Sequence, residues 1–160
     1  MSLLRNAGPP RPVTHQRIDP LKLKDIAERL ENFLDGQPTT PALMRQFSEE
    51  EGVVLSHAYA GLAVAPQIMP PIDSETLIAI CVGDCQEQGA LENLEELLEL
   101  KDGLDQKGSP SFSIVPRHCL DMCAHSPVCI SRSPHGQAAH PRLKKESLQE
   151  MVSQLCETDG

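Results

Sequence analysis

Aromatic residues are scarce in this chain of 160 residues, which has one tyrosine, three phenylalanines and no tryptophan. Proteins that bind single-stranded nucleic acids stack bases on aromatic side chains, so this mode of binding is poorly supported. Cationic residues are also in the minority, with 14 Lys and Arg against 23 Asp and Glu and a net charge of −9. A charge of this sign argues against binding to a phosphate backbone. We therefore expect no nucleic-acid partner.

Long hydrophobic runs are missing as well. No stretch approaches the ~18 apolar residues of a membrane span, and the N-terminal stretch has no apolar segment of the kind found in export signals. We therefore expect no membrane span and a cytoplasmic location. Six cysteines in 160 residues are also too few for a disulfide-stapled miniprotein. In a reducing compartment, clustered cysteines more often bind metal or carry out redox chemistry than form permanent disulfides.

The first part of the chain predicts a tail followed by helices. Residues 1–18 contain three prolines and no periodic apolar pattern, which indicates a mobile tail. A helical segment should occupy residues 19–72. Asp19 and Thr40, each followed by a proline, predict the starts of two helices, and Ser56 predicts the start of a third. This pattern is compatible with a DNA-binding helix–turn–helix, but the segment lacks a basic recognition face.

The second part, residues 73–160, has a different pattern of apolar residues. Short apolar runs at 76–82, 111–116 and 127–131 predict three strands. Leucines at helical spacing after the first strand predict a helix that ends near Gly103. A second stripe predicts a closing helix; its residues are Leu148, Met151, Val152 and Leu155. The order strand–helix–strand–strand–helix indicates an α/β fold, preceded by the helical segment.

Four of the six cysteines form two pairs with identical spacing. Cys81 and Cys85 lie at the end of the first predicted strand, and Cys119 and Cys123 follow the second. Two C-x₃-C pairs at strand ends of one small domain could converge at one edge of the sheet. Four thiolates there would satisfy a 2Fe–2S cluster or a tetrahedral zinc ion. The spacing predicts a metal site without choosing the metal.

The other thiols and the histidines carry weaker signals. We interpret Cys129, in the third predicted strand, and Cys156, near the end of the last helix, as buried structural residues. His118 and His125 flank the second cysteine pair and could hydrogen-bond to a cluster sulfur. No C-x-x-C motif is present, so the chemistry of a thioredoxin dithiol is not predicted.

The stretches "LIAICVGDCQEQGALENLEELLEL" and "SIVPRHCLDMCAHSPVCI", followed by a terminal helix, resemble the thioredoxin-like 2Fe–2S ferredoxin family. The chain is more closely similar to the small iron–sulfur subunit beside the flavin subunit in respiratory complex I, NAD-linked formate dehydrogenases and bidirectional hydrogenases. The matching positions are Cys81, Cys85, Gly89, Cys119, Leu120, Cys123 and Pro127. The first spacing is one residue shorter than the family's usual C-x₄-C. Asp121 stands where the family usually has glycine, and aspartate tolerates a positive φ better than most residues.

The resemblance implies a thioredoxin-like domain over residues 73–160. It also implies one 2Fe–2S cluster with four ligands, namely Cys81, Cys85, Cys119 and Cys123. The N-terminus of the helix after Gly89 would place positive partial charge near that anionic cluster. The chain would be a non-catalytic electron-transfer subunit, and its partner would be an FMN- and NAD(P)-binding flavoprotein subunit of a larger oxidoreductase complex. The alternatives are a free-standing ferredoxin of the same fold and a zinc-stabilised interaction module without a redox role.

Overall fold

The computed structural model describes residues 18–83, 86 and 89–158, without the side chains of residues 123, 157 and 158. The predicted tail, apart from Ile18, and the predicted ligand Cys85 lie outside these residues. In chain order the elements are α1 (Pro20–Leu34), α2 (Pro41–Glu51), α3 (Leu55–Leu62), β1 (Leu77–Cys81), α4 (Ala90–Gln106), β2 (Ser113–Arg117), a short 3₁₀ helix (Cys123–His125), β3 (Cys129–Ser133), β4 (Gly136–His140) and α5 (Lys145–Thr158). No helix among the described residues has both the length and the apolar character needed to cross a membrane.

Capping side chains start the first two helices as predicted. The Asp19 carboxylate accepts a hydrogen bond from the backbone N–H two residues later at 2.7 Å. The Thr40 hydroxyl accepts one from the N–H three residues later at 3.1 Å. The prediction for Ser56 is wrong, because α3 begins one residue earlier and has no capping side chain. Ser56 is instead buried in a helix against which α1, α2, α4 and β2 all pack.

The described part of the chain forms a sheet of four strands in the order β2–β1–β3–β4. β1 and β2 are parallel and connected through α4. β3 runs antiparallel to β1, and β4 runs antiparallel to β3. α5 follows β4 and packs against α4. This strand order, with α1 to α3 before it, is that of a thioredoxin-like domain behind a helical segment, so the predicted α/β class is confirmed.

Two elements depart from the sequence-based prediction. β4 was not predicted because its sequence, GQAAH, has no apolar alternation and its residues are mostly exposed. It forms at the edge of the sheet, where β3 supplies its hydrogen-bonding partner. α4 continues past Gly103 to Gln106, because Leu104 in its last turn packs against the core. That packing outweighs the low helix propensity of glycine.

The helical segment and the sheet bury side chains in the same apolar cluster. Leu30 of α1, Phe47 of α2, Ile78 of β1 and Leu94 of α4 are fully buried members of it. α3 lies between the two parts, in contact with both α4 and β2. The boundary that we proposed between residues 72 and 73 stays a prediction, but the core extends across it.

Candidate metal centre

Parallel pairing brings the starts of the two cysteine motifs to the same end of the sheet. Cys81, the last residue of β1, is paired with Arg117, the last residue of β2. The ladder continues for one more bond, since the N–H of Val82 donates to the carbonyl of Arg117 at 2.8 Å. Cys119 follows Arg117 by two residues. Because neighbouring strands lie about 4.8 Å apart, the two loops that carry the predicted ligands begin side by side.

Cys81 lies in a small apolar site between the two loops. Its side chain is 2% exposed and packs with Ala90 and the partly buried Leu120. Its thiol donates a hydrogen bond to the carbonyl of His118 at 3.3 Å. The site is therefore formed by the first turn of α4 on one side and by the second cysteine loop on the other.

The N-terminus of α4 faces this site through Ala90, its first residue. Gly89 precedes it with φ of 101°, a conformation that favours glycine, and no side chain caps the helix. The N–H groups of a first helical turn carry a positive partial charge equivalent to about half a charge. This arrangement favours a negative group, such as a thiolate or an anionic cluster, beside Cys81.

Cys119 is exposed and lies in a loop shaped by Asp121. The backbone N–H of Asp121 donates to the Cys119 sulfur at 3.2 Å, and the thiol lies 3.7 Å from the Asp121 carboxylate. Asp121 has φ of 58°, so the position where the resemblance expects glycine does require the left-handed conformation. A backbone N–H directed at sulfur is the kind of contact that stabilises a metal-bound thiolate.

Gly83 allows the two cysteine loops to approach each other. A Cβ atom at this position would collide with the backbone carbonyl oxygen of His118 and would lie 3.1 Å from two atoms of its ring. A carbonyl in the backbone cannot move aside as a flexible side chain can. We did not identify Gly83 from the sequence, because nothing local distinguishes a glycine in close contact from one in an ordinary turn.

Gln86 is a second residue that the sequence did not reveal. It lies between the predicted ligand Cys85 and Gly89 in the sequence, and it is 8% exposed. Its side-chain oxygen accepts a hydrogen bond from the N–H of Ile18 at 2.6 Å. Its side-chain nitrogen donates to the carbonyl of Val82 at 2.7 Å. The first cysteine loop is thereby bonded to the chain that enters α1, 68 residues earlier.

Two of the four predicted ligands, Cys81 and Cys119, have described side chains. Cys123 starts the 3₁₀ helix, but only its backbone is described, and Cys85 lies outside the described residues. Within the described residues no group of three or more His, Cys, Asp and Glu side chains is assembled for a metal ion. The donor chemistry of the described pair fits a metal that prefers sulfur, and the full ligand set stays a prediction.

Cys129 belongs to a different environment from Cys81. It is completely buried in the main core and lies opposite Ile80 in the antiparallel pairing of β1 and β3. Successive side chains of a strand point to opposite faces, so Cys81 points away from the face shared by Ile80 and Cys129. Burial, and secondarily the proximity of Cys81, raise the pKa of the Cys129 thiol to about 12. Cys156 is likewise buried in the core, in α5.

His118 and His125 lie in the second cysteine loop with exposed side chains. Their described contacts are made by the backbone: the His118 carbonyl accepts from Cys81, and the His125 carbonyl accepts from the N–H of Arg142 at 2.8 Å. The second contact connects this loop to the segment after β4. No hydrogen bond joins either imidazole to the described sulfurs of Cys81 and Cys119.

Comparison with known proteins gives matches only among solved structures. No protein-family model matches the chain, and no curated protein matches it. The wild-type thioredoxin-like [2Fe-2S] ferredoxin from Aquifex aeolicus is similar with 21% identity and a TM-score of 0.43, over 53% of this chain and 88% of the ferredoxin. A variant of the same ferredoxin with one cysteine replaced by serine gives 22% identity and a TM-score of 0.43, over 49% and 84%. Similarity at this level assigns no family to the chain.

Proposed function

We propose that the chain binds one 2Fe–2S cluster through Cys81, Cys85, Cys119 and Cys123 and transfers electrons. The observation that carries this proposal is the position of Cys81 and Cys119. Cys81 ends one of two adjacent parallel strands, Cys119 lies two residues beyond the end of the other, and each begins a C-x₃-C motif. Four thiolates, two from each loop, are the ligands that a 2Fe–2S cluster takes.

The surroundings of the two described thiols support an anionic cluster. The uncapped N-terminus of α4 lies against Cys81, and the N–H of Asp121 is directed at the sulfur of Cys119. Both features favour negative charge on sulfur. Cys81 is buried and Cys119 is exposed, so a cluster held between them would have one shielded side and one side open to a partner. When bound, such a cluster accepts and releases single electrons.

We further propose that the electron partner is an FMN- and NAD(P)-binding flavoprotein subunit, within an oxidoreductase complex in the cytoplasm. The support is the resemblance of the two cysteine blocks and the need for a flavin between a one-electron site and a two-electron nicotinamide. The isolated chain should therefore not oxidise NADH. Purification from the native host should recover the chain with an FMN-containing protein. Recovery as a monomer that binds no flavoprotein at micromolar concentration would leave a free-standing ferredoxin in its place.

The cluster itself is tested by anaerobic purification and visible spectroscopy, with metal analysis. We expect a reddish-brown protein, bleached by dithionite, with two irons per chain. A colourless protein that contains one zinc would contradict the proposal and support the zinc-stabilised interaction module.

The ligand set is tested by serine substitutions. Each of the variants Cys81→Ser, Cys85→Ser, Cys119→Ser and Cys123→Ser should lose or weaken the cluster, because serine is a poor substitute for a soft thiolate. Cys129→Ser and Cys156→Ser are the matched controls and should keep the colour, since both residues lie in the main core. If Cys129→Ser bleaches the protein and Cys81→Ser does not, the ligand set is different from the one proposed.

A further inference from the structure

The first cysteine loop is attached to the rest of the molecule through Gln86. Besides the two side-chain bonds, the N–H of Gln86 donates to the carbonyl of Gly83 at 3.1 Å. Its carbonyl accepts from the N–H of Gly89, also at 3.1 Å. This one residue is thus bonded to the two residues after β1, to the residue that precedes α4 and to the chain before α1. Cys85, a predicted ligand, is its immediate neighbour in sequence.

The bond to Ile18 differs from the others because it comes from a distant part of the chain. Ile18 is itself held in place, with its side chain 2% exposed in the main core. Its N–H is directed at the Gln86 side-chain oxygen at 2.6 Å, in a buried environment. A buried hydrogen bond between two constrained groups costs little conformational entropy, because both partners are already ordered. The chain entering α1 therefore acts as a fixed support for the loop.

Glutamine carries both groups that this position uses. The N–H of Ile18 needs an acceptor, and the carbonyl of Val82 needs a donor. Glutamate has no donor for the carbonyl, methionine of similar length has no donor and only a weak sulfur acceptor, and asparagine is one methylene shorter. The side chain thus has a specific function in the structure rather than filling space.

We propose that Gln86 is a positioning residue for the first cysteine loop, and that the chain just before α1, through Ile18, controls how firmly the cluster is held. This inference depends on the proposed 2Fe–2S function. It gives the chain just before α1 a role in the cluster site that is separate from any role of the helical segment in docking a partner. Residues that orient metal ligands typically change metal affinity about 10- to 100-fold when they are replaced.

The first experiment compares Gln86→Met with Gln149→Met in the full-length, cluster-loaded protein. The Gln149 side chain donates to the Glu96 carboxylate at 2.8 Å on the exposed surface, so its variant is a matched control. Gln86→Met should speed cluster loss in the presence of a chelator about 10- to 100-fold and shift the midpoint reduction potential. Gln149→Met should change neither quantity.

A second pair of variants removes the same bond from the other side. Ile18→Pro removes the N–H donor, whereas Ile18→Ala shortens the side chain to a similar extent and keeps the donor. Cluster loss should be faster in Ile18→Pro than in Ile18→Ala. Combining Ile18→Pro with Gln86→Met should add little to Gln86→Met alone, because the two changes break one shared bond.

The outcomes separate this inference from the proposed function. A colourless wild-type protein would overturn both. A coloured wild-type protein whose Gln86→Met variant keeps the potential and the rate of cluster loss would overturn the inference alone. The same holds for a variant that unfolds at lower urea but holds its cluster normally while folded, because Gln86 would then contribute only to stability.

Discussion

Replacement of Lys101 by methionine tests how a buried ammonium group joins three segments within residues 73–160. The Lys101 side chain is 3% exposed. Its nitrogen donates to both carboxylate oxygens of Asp73, at 2.9 and 3.0 Å, and to the carbonyl of Phe112 at 2.8 Å. Asp73 lies in the loop before β1 and also accepts from the hydroxyl of Ser113 at 3.0 Å. Lys101 therefore links that loop, α4 and the start of β2.

The cost of Lys101→Met can be bounded from these contacts. Removing one partner of a fully buried ion pair costs about 3–5 kcal/mol. The cost here should be lower, because the Asp73 side chain is 40% exposed and can be hydrated. The main loss is the unpaired carbonyl of Phe112, at about 1–3 kcal/mol. We expect a loss of about 2 kcal/mol in the free energy of unfolding, equivalent to roughly 4–8 °C in Tm for a chain of this size.

Urea unfolding of the metal-free protein, followed by circular dichroism, measures this loss. Lys24→Met is the control, since Lys24 is exposed on α1 and its replacement should change stability by less than about 0.5 kcal/mol. A Lys101→Met protein as stable as the wild type, or more stable, would refute the reasoning. It would mean that the cost of burying the ammonium group is at least as large as the gain from its hydrogen bonds.

Four further predictions concern the cysteine loops and the core. Asp121→Val should cost about 1–2 kcal/mol in urea unfolding, and Asp121→Gly should cost nothing, because φ at this residue is 58°. Gly83→Ala should cost about 1–3 kcal/mol by the same measurement, because the added methyl group would collide with the His118 carbonyl; a wild-type urea midpoint would contradict this. Burial raises the pKa of Cys129 from 9.0 to about 12, so iodoacetamide at about pH 8 should label Cys119 in the folded metal-free protein and Cys129 only after unfolding. The Cys129 thiol ionises at a lower pH in the unfolded chain than in the folded protein, so the free energy of unfolding should fall as the pH rises from 9.0 towards about 12. Cys129→Ala should remove that part of the pH dependence.

Local signals in the sequence were sufficient for most of the helices and for the strands that enter the core. Asp19 and Thr40 start helices because a short polar side chain can bond to the first free N–H groups of the helix that follows. β1 was predicted because a short apolar run before a cysteine motif is typical of a buried strand. The prediction failed for β4, whose residues have no strand pattern and pair only because β3 lies beside them.

The sequence by itself determined the chemistry of the candidate site, since two equally spaced cysteine pairs in a chain without an evident disulfide framework predict a sulfur-ligated metal. The tertiary structure decided the contacts around that site. The parallel register brings Cys81 level with Arg117, Gly83 makes room for the His118 carbonyl, and Gln86 bonds to Ile18 across 68 residues. Such contacts join segments that are distant in the chain, and their energies depend on distance and burial, which no local pattern of residues encodes.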